Sequence, residues 1–114
     1  MASEAREAEE LFEQLAEGLL ADPEVSRGTG FGSSPGFRVG SKIFAMLGGT
    51  GERLVVKLPR QRVEQLVAAG TGERFDPRHD GRLMKEWVTV PVQHRGDWEQ
   101  LVSEALRFVR GVEK

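Results

Sequence analysis

Few residues in the sequence are of the types that carry out covalent catalysis or hold a metal ion. The chain contains no cysteine, which excludes thiol nucleophiles, zinc–thiolate sites and disulfides. Its two histidines, His79 and His94, lie in separate polar segments, whereas metal ligands usually occur in pairs at helical or hairpin spacing. No serine is followed by a lysine at the S-x-x-K spacing. We therefore predict no catalytic residue, no metal site, no cofactor and no enzymatic activity.

A glycine-rich segment at residues 28–36 invites comparison with phosphate-binding loops. The dinucleotide fingerprint G-x-G-x-x-G must lie between a strand and a helix, because the helix N-terminus meets the pyrophosphate. Here the residues that follow the glycines are typical of a strand, and no Gly-Lys-Ser or Gly-Lys-Thr is present. The segment is therefore predicted to be a loop that leads into a hairpin.

Charge is unevenly distributed along the chain. Residues 1–24 hold eight acidic residues and one basic residue, whereas residues 25–95 hold twelve basic and six acidic residues. Only this middle segment could favour a polyanion such as nucleic acid. Because aromatic residues make up only 7% of the chain and no RNA-recognition motif is present, we expect weak, salt-dependent binding at most. The candidate nucleic-acid-binding residues are Arg38, Lys42 and Lys57, which lie on predicted strands.

The pattern of apolar and turn residues predicts one α+β domain over residues 1–114. Apolar residues at three- and four-residue spacing predict a first helix that stops at Asp22-Pro23 and a last helix that Asp97 caps. Short glycine-rich turns between the strands favour an antiparallel sheet. We expect an antiparallel five-stranded sheet with helices, in the order α-β-β-β-α-β-β-α. The predicted strands are Phe37–Val39, Lys42–Leu47, Leu54–Leu58, a short one near Arg82–Met84, and Glu86–Val92, with the middle helix from Pro59 to Gly70.

The central strands are apolar on both faces. Alternate side chains of a strand face opposite ways, so Ile43, Ala45 and Leu47 should share one face. Phe44 and Met46 should then share the other. An apolar face that helices leave open is typical of an interaction site, whereas a covered one is ordinary core, and the sequence permits both. The candidate partner-binding residues are Phe44, Met46, Val55 and Trp87, rimmed by Lys57 and Lys85.

Several stretches of the sequence resemble the N-terminal domain of the TfoX/Sxy competence-regulator family. Competence regulators of that family look like two-domain proteins, and this chain matches their first domain. The chain is also similar to the neighbouring MmcQ/YjbR family, in an F-x-V-x-x-K-x-F-A stretch and in a Trp-Val strand. Both resemblances imply an α+β fold with the element order given above. The matching stretches are Gly30–Val39, Lys42–Leu47, Leu54–Leu58, Arg74–Pro77 and Met84–Pro91.

The function that follows from these observations is a small non-enzymatic interaction module, accessory to transcriptional regulation. Its partner would be a protein or a second copy of the chain. The alternative is a weak nucleic-acid-binding domain of the MmcQ/YjbR type that uses the basic middle segment; that family is often labelled DNA-binding by analogy of shape. The acidic N-terminus is unlike a secretory signal and no apolar run is long enough to span a bilayer, so a cytoplasmic location is expected.

Overall fold

The computed structural model describes residues 2–29, 35–48, 53–75 and 84–112. In that part of the chain, six strands form one antiparallel sheet, with one helix before the first strand, one between the fourth and fifth strands, and one near the end of the chain. The elements are α1 (Ala2–Leu19), β1 (Val25–Thr29), β2 (Pro35–Val39), β3 (Lys42–Gly48), β4 (Arg53–Lys57), α2 (Arg60–Ala68), β5 (Glu73–Phe75), β6 (Met84–Pro91), a 3-10 helix (Val92–Asp97) and α3 (Trp98–Val112). The strand order across the sheet is β1-β2-β3-β4-β6-β5.

The predicted meander is confirmed. β3 pairs antiparallel with β2 on one side and with β4 on the other. The short turns leave no room for the crossover that a parallel pair would need. The predicted end of the middle helix is also confirmed: α2 ends at Ala68, and Gly70 follows with a φ of 77°, a conformation that glycine adopts at little cost.

The predicted number of strands is wrong, because the described sheet has six strands rather than five. The additional strand at the start is β1, which was predicted as loop. Only Val25 in β1 is a buried apolar residue, and Gly28 lies in its second half, so its sequence carries little strand signal. Its position in the sheet comes from antiparallel pairing with β2, which no local pattern reveals.

The strand predicted near Arg82–Met84 falls largely outside the described residues, which omit Arg82 and Leu83. Met84 is the first residue of β6, which contains most of the strand predicted at Glu86–Val92. The short strand that precedes β6 is instead β5, at Glu73–Phe75, in a stretch predicted to be loop. β5 has three residues and pairs only with β6 at the edge of the sheet, which explains why its sequence has no clear alternation.

The main core lies between the sheet and the three α-helices described. Trp98 of α3 and Phe12 of α1 are each 1% exposed, and Phe37 and Phe44 are fully buried. The rings of Phe12 and Phe37 stack with centroids 4.5 Å apart, so α1 is held over β2. Within the residues described, no helix is long and apolar enough to cross a membrane.

A bulge in the β2–β3 pair changes which side chains share a face. The register shifts by one residue, which leaves Phe44 without an opposite residue in β2. An extra residue in one strand resets the alternation beyond it. Phe44 therefore packs in the main core with Ala45, while Ile43 packs with Met46 on the opposite face. The predicted grouping of Ile43 with Ala45, and of Phe44 with Met46, is wrong.

Ion pairs join α1 to β1, and α3 to the turn that follows α1. The Arg27 guanidinium of β1 donates to both carboxylate oxygens of Glu13 in α1, at 3.0 and 2.6 Å. Arg110 of α3 donates to the Asp22 carboxylate in the turn after α1. Asp22 also accepts a hydrogen bond of 2.9 Å from the backbone amide of Glu24. These contacts join α1, β1 and α3 at one corner of the fold.

We expect the domain to lose stability in acid through this corner. The amide of Glu24 and then the guanidinium of Arg110 hold the pKa of Asp22 below its ordinary value, and Arg27 does the same for the pKa of Glu13. A carboxyl group with a lowered pKa in the folded state stabilises the fold above its unfolded pKa of about 4. That contribution is lost as the pH falls through the lower, folded pKa.

Thermal melts followed by circular dichroism across a pH series measure this effect. At pH 7 the variant Asp22→Asn should melt slightly below the unmodified protein. The difference between the two should shrink as the pH falls from about 4 through the lower, folded pKa of Asp22, because below that pKa Asp22 is protonated in both states. A difference that stays constant down to pH 2 would contradict the assignment.

Candidate functional site

The face of the sheet opposite the helices holds most of the predicted site residues. We call it the helix-free face, because the cluster of buried side chains on it contains no residue from the described helices. Its members follow from strand alternation and from the register of each pair. They are Arg38, Ile43, Met46, Arg53, Val55, Lys57, Glu73, Trp87 and Thr89.

A small apolar cluster lies at the centre of this face. Met46 of β3 stands opposite Val55 of β4, and Lys57 of β4 stands opposite Trp87 of β6. Met46 is 1% exposed, Val55 is fully buried and Trp87 is 7% exposed, with Ile43 partly buried against them. Three of the predicted partner-binding residues therefore lie together on one face, but they are buried and do not form an open patch.

The remaining partner-binding candidates are distributed differently. Phe44 lies on the other face, in the main core, with its ring 6.4 Å from that of Phe37. Lys57 is half-buried beside Trp87. Lys85 belongs to β6, but its side chain lies outside the described part of the structure. Of the two lysines predicted to rim the patch, only the side chain of Lys57 is described.

Two of the three nucleic-acid-binding candidates also lie on the helix-free face. Arg38 stands opposite Ile43, and Lys57 lies two strands away on the same face. Lys42 does not join them, because it stands opposite Val39, whose side chain is in the main core. The predicted trio is therefore a pair on one face with an exposed lysine on the other.

Arg38 lies across the neighbouring strand. A Cβ atom built on Gly28 would come within 2.4 Å of Nε of Arg38, so a larger residue at position 28 would require the Arg38 side chain to move. The Arg38 guanidinium donates to the carbonyl oxygen of Ser41, at 3.3 Å. Arg38 is half-buried and is held flat against β1 by these contacts.

The charge of the helix-free face is positive. Among the described residues it has three basic side chains, Arg38, Arg53 and Lys57, and one acidic side chain, Glu73. Arg53 and Glu73 form an ion pair of 3.0 Å and neutralise each other. The other two basic side chains described on this face are Arg38 and Lys57.

One short sequence match to a catalytic serine motif lies in a segment whose neighbouring elements do not have the arrangement that the motif requires. The letters G-x-S-x-G occur at Gly32–Gly36, centred on Ser34. A nucleophile elbow needs a strand-to-helix turn, whereas this segment connects β1 and β2, two antiparallel strands. Ser34 and His79 lie outside the described residues. Within those residues, no group of three or more His, Asp and Glu side chains could hold a metal ion.

A polar cleft between α2 and α3 is a feature that the sequence did not indicate. Its volume is about 220 Å³, and Arg62 on its wall donates to Glu104 at 2.9 Å. Its residues come from two helices distant in sequence, so only the tertiary structure brings them together. The lining residues are Arg62, Gln65, Leu66, Ala69, Thr71, Asp97, Gln100 and Leu101.

The described architecture defines a two-layer α+β domain, with helices on one face of an antiparallel sheet and basic side chains beside a buried tryptophan on the other. The family model YjbR matches residues 20–107, which is most of the chain, and the chain belongs to the YjbR family. This match confirms the MmcQ/YjbR part of the resemblance. The search of the curated proteins found no match. The similarity to the TfoX/Sxy N-terminal domain stays a resemblance.

Proposed function

We propose that this chain is a non-enzymatic interaction domain that binds a protein partner through the helix-free face and is accessory to transcriptional regulation. The observation that carries the proposal is that Arg38, Ile43 and Lys57 lie on the same sheet face as the buried cluster around Trp87. The resemblance to the TfoX/Sxy N-terminal domain supports the regulatory setting.

The composition of this set of residues favours a protein partner. Protein interfaces are enriched in arginine and in aromatic and methionine side chains at their centres. Here Ile43 supplies a partly buried apolar contact between two half-buried cations. Met46, Val55 and Trp87 pack against Ile43 on the same face and hold the strands in a fixed geometry. Binding a partner there would therefore lose little conformational entropy.

A second candidate function, weak nucleic-acid binding, is favoured by the positive charge of the same face. Arg38 and Lys57 could each contact a phosphate group. Two such contacts give a shallow dependence of affinity on salt, and we expect a Kd no tighter than about 10 µM at physiological salt. Tight, sequence-dependent binding would promote this candidate above the first.

The double variant Arg38→Glu/Lys57→Glu tests both candidates. It reverses the charge of these two residues, and we expect it to lose partner capture from a lysate of the native cell and to lose any binding to DNA or RNA. The control is Lys42→Glu, which reverses one charge rather than two, at an exposed lysine on a neighbouring strand but on the other face. Circular dichroism must show that all variants are folded.

The pattern of losses separates the outcomes. Loss of protein capture in the double variant alone supports the proposal. If Lys42→Glu causes the same loss, the effect is one of net charge, and the helix-free face is not the binding surface. If capture of protein is unchanged while a nucleic-acid titration loses its salt-dependent binding, the second candidate replaces the first.

A further inference from the structure

The polar cleft between α2 and α3 is closed at one end by a set of hydrogen bonds. The guanidinium of Arg62 donates to both carboxylate oxygens of Glu104, at 2.9 and 3.3 Å, and to Oε1 of Gln65 at 3.3 Å. The side-chain amide of Gln100 donates to the same carboxylate at 3.1 Å. The charges of Arg62 and Glu104 therefore neutralise each other, and these bonds hold this end of the cleft in one geometry.

The opposite end of the cleft has an acidic group without a basic partner. Asp97 lies seven residues before Glu104, and Ala69 lies seven residues after Arg62, which is about two helical turns in each case. Both residues line the cleft, so α2 and α3 run in opposite directions along it. Ala69 thus stands where a basic residue could have paired with Asp97. No ion pair or hydrogen bond joins the Asp97 side chain to any described residue.

The groups around Asp97 combine hydrogen-bond acceptors with an apolar wall. The hydroxyl of Thr71 and Oε1 of Gln100 line the cleft, and each can accept a hydrogen bond. Leu66 and Leu101, which are 6% and 1% exposed, supply the apolar wall. The end of α2 and the start of α3 carry opposite partial charges of about half a unit, which offset each other. The charge that a ligand would meet at this end is therefore that of Asp97.

We propose that this cleft binds a primary alkylammonium group, with the ammonium at Asp97 and its carbon chain along Leu66 and Leu101. An ammonium has three N–H donors, and Asp97, Gln100 and Thr71 offer acceptors for them. The cleft, at about 220 Å³, is smaller than the pockets of roughly 300–1,000 Å³ that hold drug-sized ligands, so it suits a short chain. A free aliphatic amine and a lysine side chain of another protein share this chemistry. The cleft is on the helical side of the sheet, and the proposal does not depend on the helix-free face.

The probes are n-pentylamine and a blocked lysine, Nα-acetyl-lysine methylamide, with pentanol and pentanoate as controls of equal chain length. Amide chemical shifts in NMR titrations at pH 7 report the binding. We expect n-pentylamine to shift the amides of Thr71 and Gln100 with a Kd of about 1 mM, which is reasonable for a ligand of about six non-hydrogen atoms. Pentanol and pentanoate should bind more weakly, because neither offers a positive charge to Asp97. Equal affinity for the blocked lysine would assign the group to a protein, and binding of n-pentylamine alone would assign it to a free amine.

Two pairs of variants test the location of the site. Asp97→Asn keeps the shape of the side chain and its ability to cap α3, and should weaken n-pentylamine by about tenfold. Its control, Glu99→Gln, removes the same charge from an exposed position outside the cleft and should not. Ala69→Lys supplies an ammonium from the chain itself and should abolish binding. Its control, Ala68→Lys, makes the same change at the adjacent exposed residue and should leave binding unchanged.

Several results would overturn the proposal. One is the absence of shifts when n-pentylamine is added well above the expected Kd. Equal weakening by Asp97→Asn and Glu99→Gln, or equal loss in the two lysine variants, would show a general effect of charge. Equal binding of pentanol, or shifts confined to other parts of the fold, would exclude recognition of an ammonium by Asp97.

Discussion

Replacing Trp98 with alanine is expected to lower the free energy of unfolding by about 3–5 kcal/mol. Trp98 is the first residue of α3, is 1% exposed, and packs in the main core. Its indole Nε1 donates to the carbonyl oxygen of Pro91 at 3.3 Å, which links the start of α3 to the end of β6. Alanine would leave a cavity and an unpaired carbonyl at this junction.

A domain of this length has a total stability of about 5–15 kcal/mol, so the variant should melt at least about 10 °C below the unmodified protein. Thermal and urea melts by circular dichroism measure the loss. Trp98→Phe keeps most of the volume and should cost much less. Leu20→Ala is the control for a large apolar residue at the surface, since Leu20 is 38% exposed, and should be nearly neutral. Equal melting of Trp98→Ala and Leu20→Ala would contradict the packing described.

Trp87→Ala should have the second largest effect, about 3 kcal/mol. Trp87 is 7% exposed and packs with Met46 and Val55, so most of its ring is removed from water. A tryptophan that served mainly as an anchor for a partner would instead be exposed in the free domain. Its removal would then leave the melt nearly intact and weaken binding.

The test of Trp87 needs both stability and binding. We expect a large loss of stability together with strong coupling to Met46→Ala, because the two residues share one small cluster. If self-association or partner capture is unchanged in the folded fraction of Trp87→Ala, Trp87 does not bind the partner. A melt that is unaffected, with capture lost, would restore the anchor role that the sequence suggested.

The parts of the fold that were predictable are those with local signals. The meander from β2 to β4 follows from short turns between apolar runs, and the end of α2 follows from Gly70. β1 and β5 were missed because each is an edge strand that contains a single apolar residue, which is too few to show strand alternation. Edge strands are specified by pairing with a partner distant in sequence, and this partner is not visible in a window of a few residues.

The candidate site was predictable only in part, for a related reason. Alternation correctly placed Val55, Lys57 and Trp87 on one face, because β4 and β6 are regular where they pair. It failed at Phe44, where one extra residue in β3 moves the ring to the main core. It also could not show that Gly28 makes space for Arg38, a contact across two strands. A bulge and a close approach both depend on neighbours, and neither changes residue composition.

The position of α3 has a consequence for synthesis of the protein on the ribosome. The sheet from β1 to β4 is made early and could pair by local contacts as it emerges. Its helix-facing side is completed only by residues of α3, among them Trp98, Leu101 and Val109. Until that helix leaves the exit tunnel, a nascent chain exposes the part of this apolar face that α1 and α2 do not cover, and this interval is when chaperones would be most useful to it.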